Sequence, residues 1–280
     1  MLRQALAGIA AACATASGRP VAQQRAGAAL PVARVEEMLS AGLAALERGE
    51  IDASSIASNG FSWGVGAREV FTSREALARS KSLEKFTAQD LERHVYSASD
   101  GQSAWFWESY RRPERVVRHT GLAAAVDGKW LILAQHTSFA YGPDVDKKDE
   151  EGTLPELAPV GDGVASDAEE VADLFRTAVF FDRMLAAATP PDFILMGTDS
   201  GYIAGAVLRP LPRGNENGPR PKDGVRAGLG PGGLTAWAAA NAVWIQDGKR
   251  TMGPMRFMFV FTRENGRWRL VQNHHSYALE

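Results

Sequence analysis

The chain has 280 residues, enough for two domains of roughly 150 residues each. With 45% hydrophobic and 23% charged residues it can bury a sizeable core, which excludes wholesale disorder, and 31 Lys and Arg against 33 Asp and Glu argue against a basic nucleic-acid-binding or membrane-attracted surface. One cysteine, Cys13, excludes a disulfide within the chain and a thiolate-rich metal site.

Residues 1–25 stand apart from the rest. Arg3 precedes Ala5 to Ala16, twelve small or apolar residues without a charge. That run is too short to span a bilayer as a helix but fits a cleavable secretory signal, with Ala14-Thr15-Ala16 as an A-x-A-like cleavage site. Export is the expected destination. Ile9 to Cys13 also resembles a lipobox, so lipid attachment at Cys13 stays open beside cleavage, as does a plain Ala-rich tail. No later stretch reaches 18 apolar residues, so no transmembrane segment is expected.

Val32 to Arg48 places Val32, Val35, Leu39, Leu43 and Leu46 at helical spacing, with Gly49 as a stop. A short apolar stretch, Gly60 to Val65, leads to a second predicted helix over Ser73 to Phe86 with Ser73 as N-cap. Strands follow at Glu92 to Ala98 and Ser103 to Tyr110. A hairpin then joins Arg118–Val126 to Lys129–Tyr141 through Asp127-Gly128, a strong two-residue turn signal because both central residues need positive φ. Gly142 to Glu170 holds four Gly, three Pro and ten acids and reads mostly as a linker. Asp167 to Ala188 is the next predicted helix. Arg209 to Arg226, rich in Pro, Gly and bases, reads as an insertion or a degraded helix. Arg256–Arg263 and Arg267–Ala278 form a closing hairpin through Asn265-Gly266.

The two hairpins repeat each other. Arg118 to Ala140 aligns without a gap on Arg256 to Ala278 at an offset of 138, with identities at Arg118/Arg256, Gly128/Gly266, Trp130/Trp268, His136/His274, Ser138/Ser276 and Ala140/Ala278. Upstream, Gly64–Val70 lines up with Gly197–Ile203 and Ala104-Trp105 with Ala236-Trp237, at offsets of 133 and 132. Changing offsets with an unchanged order mean insertions in loops between two copies of one domain.

The helix, the GTD-like segment, the second helix, the "AW" strand, the Arg-led strand and the terminal G-[KR]-W-x-x-x-x-x-H-x-S strand together resemble SnoaL-like, DUF4440-type members of the nuclear transport factor 2-like superfamily. The resemblance implies an α+β fold with two cone-shaped domains in tandem, each a curved antiparallel sheet packed on helices around a pocket. The implied layout is a tail over 1–25, domains over 30–141 and 167–280, and an acidic linker over 142–166. Intramolecular pairing of the two copies is expected. The first copy departs from the family at Gly66-Ala67, where Thr198-Asp199 of the second keeps the TD pair, so any chemistry is expected in the second copy.

On the last strand Trp268, Leu270, Gln272, His274 and Ser276 share one face and Arg269, Val271, Asn273, His275 and Tyr277 the other. If the His274 face lines the cone, His274 is a candidate general base beside Gln272 and Ser276, with Asp199 at the pocket mouth to orient it or take the proton. The plain alternatives are an Asx-turn at Asp199 and a buried histidine that anchors the strand, the reading that also suits His136. Glu69 is placed to pair with Arg118. Arg118 and Arg256, among apolar neighbours, require either a protein carboxylate or a bound anion. Trp63, Trp105, Trp107, Tyr110 and Trp237 fit sheet core or, less simply, a ligand cage. Gly228 to Gly233 spells G-x-G-x-x-G, but Pro231 removes an amide donor and no helix opens there. His274-His275 cannot chelate one ion from opposite faces, and neither metal nor cofactor is expected. These residues lead to an exported protein that binds a small, partly apolar molecule or an anion in a cone pocket. The alternatives are a cofactor-independent lyase or isomerase using Asp199 and His274, and a structural or protein-interaction module.

Overall fold

A computed structural model of the protein describes residues 32–80, 84–113, 115–141, 145, 148–149, 151–177, 194–196, 202–204, 218–246 and 248–278, of which 177, 194–196, 202–204, 246 and 251 are described by backbone alone. Residues 1–31, with Cys13 and the expected signal, lie outside these.

The first helix, α1 (Ala33–Glu47), ends where expected, with Gly49 in the left-handed region at φ 81°. Its apolar stripe of Val35, Leu39 and Leu43 is buried, each side chain stabilising the fold by roughly 1.5–3 kcal/mol. It lies on a six-stranded sheet made of β1 (Ile56–Trp63), β2 (Val70–Phe71), β3 (Gln89–Ser97), β4 (Ser103–Arg112), β5 (Arg115–Val126) and β6 (Lys129–Phe139). The strand order is β2-β1-β6-β5-β4-β3, with β1 parallel to β6 and the other neighbours antiparallel.

The second predicted helix is much shorter than its pattern. Ser73 caps it as expected, its Oγ accepting from the Ala76 N–H at 3.1 Å, but α2 covers only Arg74–Ala78. Ser80 Oγ–H takes the Leu77 carbonyl at 2.6 Å, and the N–H groups of Phe86 and Ala88 go to the backbone and side chain of Glu47 at the end of α1. Those competing bonds draw residues 86–88 onto α1 instead of into a further turn.

The acidic stretch is bound to the body of the protein. Buried Asp149 accepts from Tyr277 Oη at 2.7 Å and Gly253 N–H at 2.8 Å and pairs with Arg250. Val160 is also buried, and Gly163–Val164 forms β7. Helix α3 (Glu169–Thr177) follows. The second sheet contains β7, β8 (Ile194–Met196), β9 (Tyr202–Ala204), β10 (Gly218–Pro221), β11 (Arg226–Leu229), β12 (Thr235–Gln246), β13 (Lys249–Glu264) and β14 (Arg267–Ser276). Its order is β7-β11-β12-β13-β14-β8-β9, with β10 beside β12. The stretch read as an insertion or degraded helix, Arg209 to Arg226, therefore carries β10 and the first residue of β11, its residues 209–217 lying outside the described ones. Its prolines are tolerated because β10, among the described residues, pairs with β12 alone. The G-x-G-x-x-G run begins on β11 and ends in a 3₁₀ turn, Pro231–Gly233.

Both hairpins turn as read, with Asp127 and Asn265 at φ 50° and Gly128 and Gly266 at φ 76°. Each sheet also carries a register shift at the same aligned place, between Leu122 and Ala123 and between Val260 and Phe261. Such bulges bend the sheet. One side of each sheet packs on helix: Ala104, Phe106, Ala123 and Ile132 against α1, and Ala238, Phe257, Phe259 and Phe261 against α3. The opposite sides meet in a shared core of Phe61, Trp105, Trp107, Trp237, Met258 and Val260.

Candidate ligand cavity

Between α1, α2 and the first sheet lies a cavity of about 450 Å³. Leu39, Leu43 and Leu46 line it from the helix, and Ile56, Phe71, Val117, Ile132 and Phe139 from the strands. Cavities of this size with apolar walls hold small organic molecules.

One polar band crosses this wall. Every member comes from a different strand, in the order of the sheet: Arg93 on β3, Glu108 on β4, His119 on β5, Gln135 on β6 and Ser62 on β1. Arg93 and Glu108 are register partners, as are Glu108 and His119, and Ser62 and Gln135, which puts the side chains on one face. Glu108 Oε2 accepts from Arg93 Nε at 2.8 Å and pairs with Nη2 at 2.7 Å; its Oε1 lies 2.8 Å from His119 Nδ1. His119 Nε2 is 2.9 Å from Gln135 Oε1, and Gln135 Nε2 donates to Ser62 Oγ at 3.0 Å. Arg93 also ties the band to α1 through the Glu36 carbonyl and Ser40 Oγ.

The Glu108 side chain is 4% exposed. Burial pushes its carboxyl up, but the hydrogen bond and charge of His119 and those of Arg93 outweigh this and hold it below the usual carboxylate range. It is therefore ionised at neutral pH and can only accept, so His119 Nδ1 carries a proton. Turning the Gln135 amide over exchanges its donor and acceptor, and the Ser62 hydroxyl answers either orientation. The band thus accommodates His119 with one proton or with two. Tyr110 lines the same cavity, its ring stacked on Phe86 at 5.9 Å, and burial raises its phenol further above its ordinary range, so the hydroxyl stays a donor.

The residues singled out from the sequence lie elsewhere. The His274 face of β14 turns toward the first sheet, and the alternate face turns to α3, where His275 stacks on Phe257 at 5.4 Å. His274 and His136 stack on each other across the seam at 3.8 Å, both fully buried. His136 Nε2 lies 2.8 Å from Ser276 Oγ, and reciprocally His274 Nε2 lies 2.9 Å from Ser138 Oγ, with Thr120 Oγ1 2.9 Å from His274 Nδ1. Hydroxyls serve a neutral imidazole as donor or acceptor alike. Burial, reinforced by the positive charges of Arg118 and, for His136, Arg256, holds both rings well below the ordinary histidine range, so they are neutral anchors. A general-base role for His274 in a cone does not fit this position. Gln272 and Ser276 share the seam, and Trp237 is stacked on Phe61 at 5.4 Å in the shared core and does not line the cavity.

The two arginines direct their Nη groups to carbonyls. Arg118 Nη2 donates to the Phe139 carbonyl at 2.9 Å, and Arg256 donates to those of Gly64, Gly66 and Ala67 at 2.6, 2.7 and 3.1 Å. Glu69 does line the cavity, but its carboxylate accepts from the Gly66 N–H at 2.9 Å and supports the charge of Arg256, where Arg118 was the expected partner. Asp199 lies outside the described residues. Sequence reasoning missed Glu108, His119 and Gln135. The signal was present: Glu108 is the one charge within Ala104 to Tyr110, and His119 sits in the opposite phase from Arg118.

Among the described residues no group of three or more His, Cys, Asp and Glu could hold a metal ion, and no helix is long and apolar enough to cross a membrane. No curated protein matches the sequence. Among solved structures, the chain is similar to a cystatin-like fold protein from Burkholderia xenovorans (19% identity, 40% of this chain and 93% of that one, TM-score 0.32). It is likewise similar to a candidate dehydratase from the NTF2-like family of Streptomyces avermitilis (18%, 40% and 96%, TM-score 0.32) and to an NTF2-like protein of unknown function from Silicibacter pomeroyi (15%, 39% and 94%, TM-score 0.29). The SnoaL-like domain family matches the closing part of the chain, and residues 180–280 are accordingly a SnoaL-like domain.

Proposed function

We propose that the protein binds a small, uncharged, largely apolar molecule in the cavity of its first half, with the Glu108–His119 band meeting the ligand's polar group. The observation that carries this reading is a cavity of about 450 Å³ with aliphatic and aromatic walls and one band of side chains already hydrogen-bonded to each other. Arg93 balances the charge of Glu108, so the band offers hydrogen bonds more than net charge. The commitment of Arg118 and Arg256 to carbonyls also favours a neutral ligand over an anion. Mass spectrometry of the natively purified protein should find a retained small molecule, and Leu43→Trp, which fills the cavity from α1, should abolish its retention in a folded chain. Unchanged retention would end this reading.

A second reading, a cofactor-independent lyase or isomerase, is favoured by one feature, the tolerance of the band for His119 with one proton or two. Glu108→Gln should then stop turnover of the retained molecule while leaving its binding within about threefold, because the amide keeps the shape but cannot hold the proton balance. Retention without turnover in the unaltered chain decides for binding.

We also infer that residues 30–141 and 167–280 are two SnoaL-like cones of the DUF4440 type, paired in tandem through the outer faces of their sheets. The hairpin match, the shared bulge position and the reciprocal His136–Ser276 and His274–Ser138 contacts support this. Proteolytic cleavage within residues 151–157 should leave two associated fragments; clean separation on a sizing column overturns the pairing. Export is supported by the run from Ala5 to Ala16 after Arg3. The intact mass of the chain from its host should show a start after residue 13 or 16, or a lipidated Cys13.

A further inference from the structure

We propose that Arg256, on β13 of the second sheet, sets the shape of the entrance to the cavity in the first half and so controls what enters it; this rests on the ligand-cavity reading above. Gly64, Val65, Arg68 and Glu69 line the cavity, and the exposure of Arg68 puts this loop at its open side, the entrance. That loop is folded on itself: the Gly64 N–H donates to the Glu69 carbonyl at 3.1 Å, the Glu69 N–H to the Gly66 carbonyl at 3.0 Å, and the Gly66 N–H to Glu69 Oε2 at 2.9 Å. A Cβ on Gly64 would stand 2.2 Å from Glu69 Oε2, so a larger residue there would push that carboxylate off the Gly66 N–H.

The loop's internal bonds leave the Gly64 and Ala67 carbonyls to outside partners. One guanidinium takes both and shares the Gly66 carbonyl: Arg256 Nη1 reaches Gly64 at 2.6 Å, and Nη2 reaches Gly66 and Ala67 at 2.7 and 3.1 Å. The Ala158 N–H adds a bond to Ala67 at 3.0 Å. Arg256 is 1% exposed, and its planar fork fixes the three oxygens relative to one another, which a single-point ammonium cannot do. Burial lowers its guanidinium to about 10, with Glu69 and Tyr141 favouring the charge, so it remains a cation at neutral pH. The entrance of one half is therefore held from the other by a residue that touches no ligand. Arg256 is a positioning residue.

The test uses the full chain with Cys13→Ser, which removes the sole thiol, and one new cysteine at a time. Thr137→Cys reports access to the cavity, which Thr137 lines; Ala238→Cys, in the core against α3, reports general opening of the fold. Rates of modification by N-ethylmaleimide are compared. Arg256→Met should raise the ratio of cavity to core labelling by about tenfold or more, and Arg256→Lys, which keeps the charge and part of the bonding, by less. If the Met variant does not fold, a raised ratio in Arg256→Lys alone sustains the proposal. A ratio unchanged within about twofold in the folded variants, or both rates rising together as for a merely destabilised fold, overturns it. An unreactive Thr137→Cys in every background instead removes the open cavity, and the ligand reading fails with it.

Discussion

The helix-facing sides of the two sheets have the same strand plan and opposite contents. In the first, the register partners Glu108 and His119 are polar and border a cavity. At the aligned positions of the second, the register partners are Ala240 and Phe257, both fully buried, and Phe175 of α3 meets Phe259 edge-on at 4.7 Å. On the seam sides, by contrast, three pairs are the same in both: Arg118 and Arg256, His136 and His274, Ser138 and Ser276. Identity between the two halves falls at these contacts and also at Trp130 and Trp268 on the helix sides. The difference between them marks where one half has become hollow and polar. Identical histidines drew attention to the seam, whereas His119, with no histidine opposite it in the alignment, lies at the cavity.

The largest effect that could break this comparison is expected from Ala240→Glu. It would put a carboxylate on the apolar side of the second sheet without the Arg93 and His119 that support Glu108, and should cost on the order of 5 kcal/mol or prevent folding. A loss below about 1 kcal/mol by urea unfolding would mean that the second interior is as polar and open as the first.

Next is the pH dependence of the seam. His136 and His274 are neutral in the folded protein because their pKa values are depressed well below 6.5, while the unfolded chain takes up two protons as pH falls through that value. Their contribution is thus fully present above about pH 6.5 and is lost below it, and unfolding stability should fall by about 4 kcal/mol between pH 7 and pH 5. Glu108 acts in a lower window: its depressed carboxyl contributes above about pH 4.5 and is lost as pH falls through its folded value. Denaturant melts across pH 2 to 8 check both. A flat profile between 7 and 5 would remove the neutral, buried pair, and His136→Asn with His274→Asn should flatten it.

A smaller effect is expected for Glu108→Gln, about 3 kcal/mol, because Arg93 keeps a buried charge without its carboxylate. The smallest is Ser276→Ala, about 1 kcal/mol through the lost partner of His136 Nε2. Ser138→Ala should cost no more, since Thr120 still holds the other nitrogen of His274. A marked excess for Ser138→Ala would show that the two contacts are not equivalent.

The turns, caps and terminal strands were legible because their signals are local. Asp127-Gly128 and Asn265-Gly266 demand positive φ, Ser73 offers its hydroxyl to a nearby N–H, and Gly49 ends α1. The short α2 was not legible, since the groups that stop it belong to Glu47 on another helix. The site was half legible. Period-two alternation separates Gln272, His274 and Ser276 from Asn273, His275 and Tyr277 without saying which set meets a helix.

By itself the sequence determined the hairpins, their repetition and the helix α1, all set by bonds and sterics within a few residues, and the alternation of side chains along each strand as far as the bulge, where Leu270 joins the helix-side core and Val271 the shared one. Only the tertiary structure decided that the conserved-looking His136 and His274 close the seam while Glu108, His119 and Gln135 face the cavity. That choice depends on cross-strand register and on which surface packs against the helix or the other sheet, and both are settled by contacts between residues far apart in the chain.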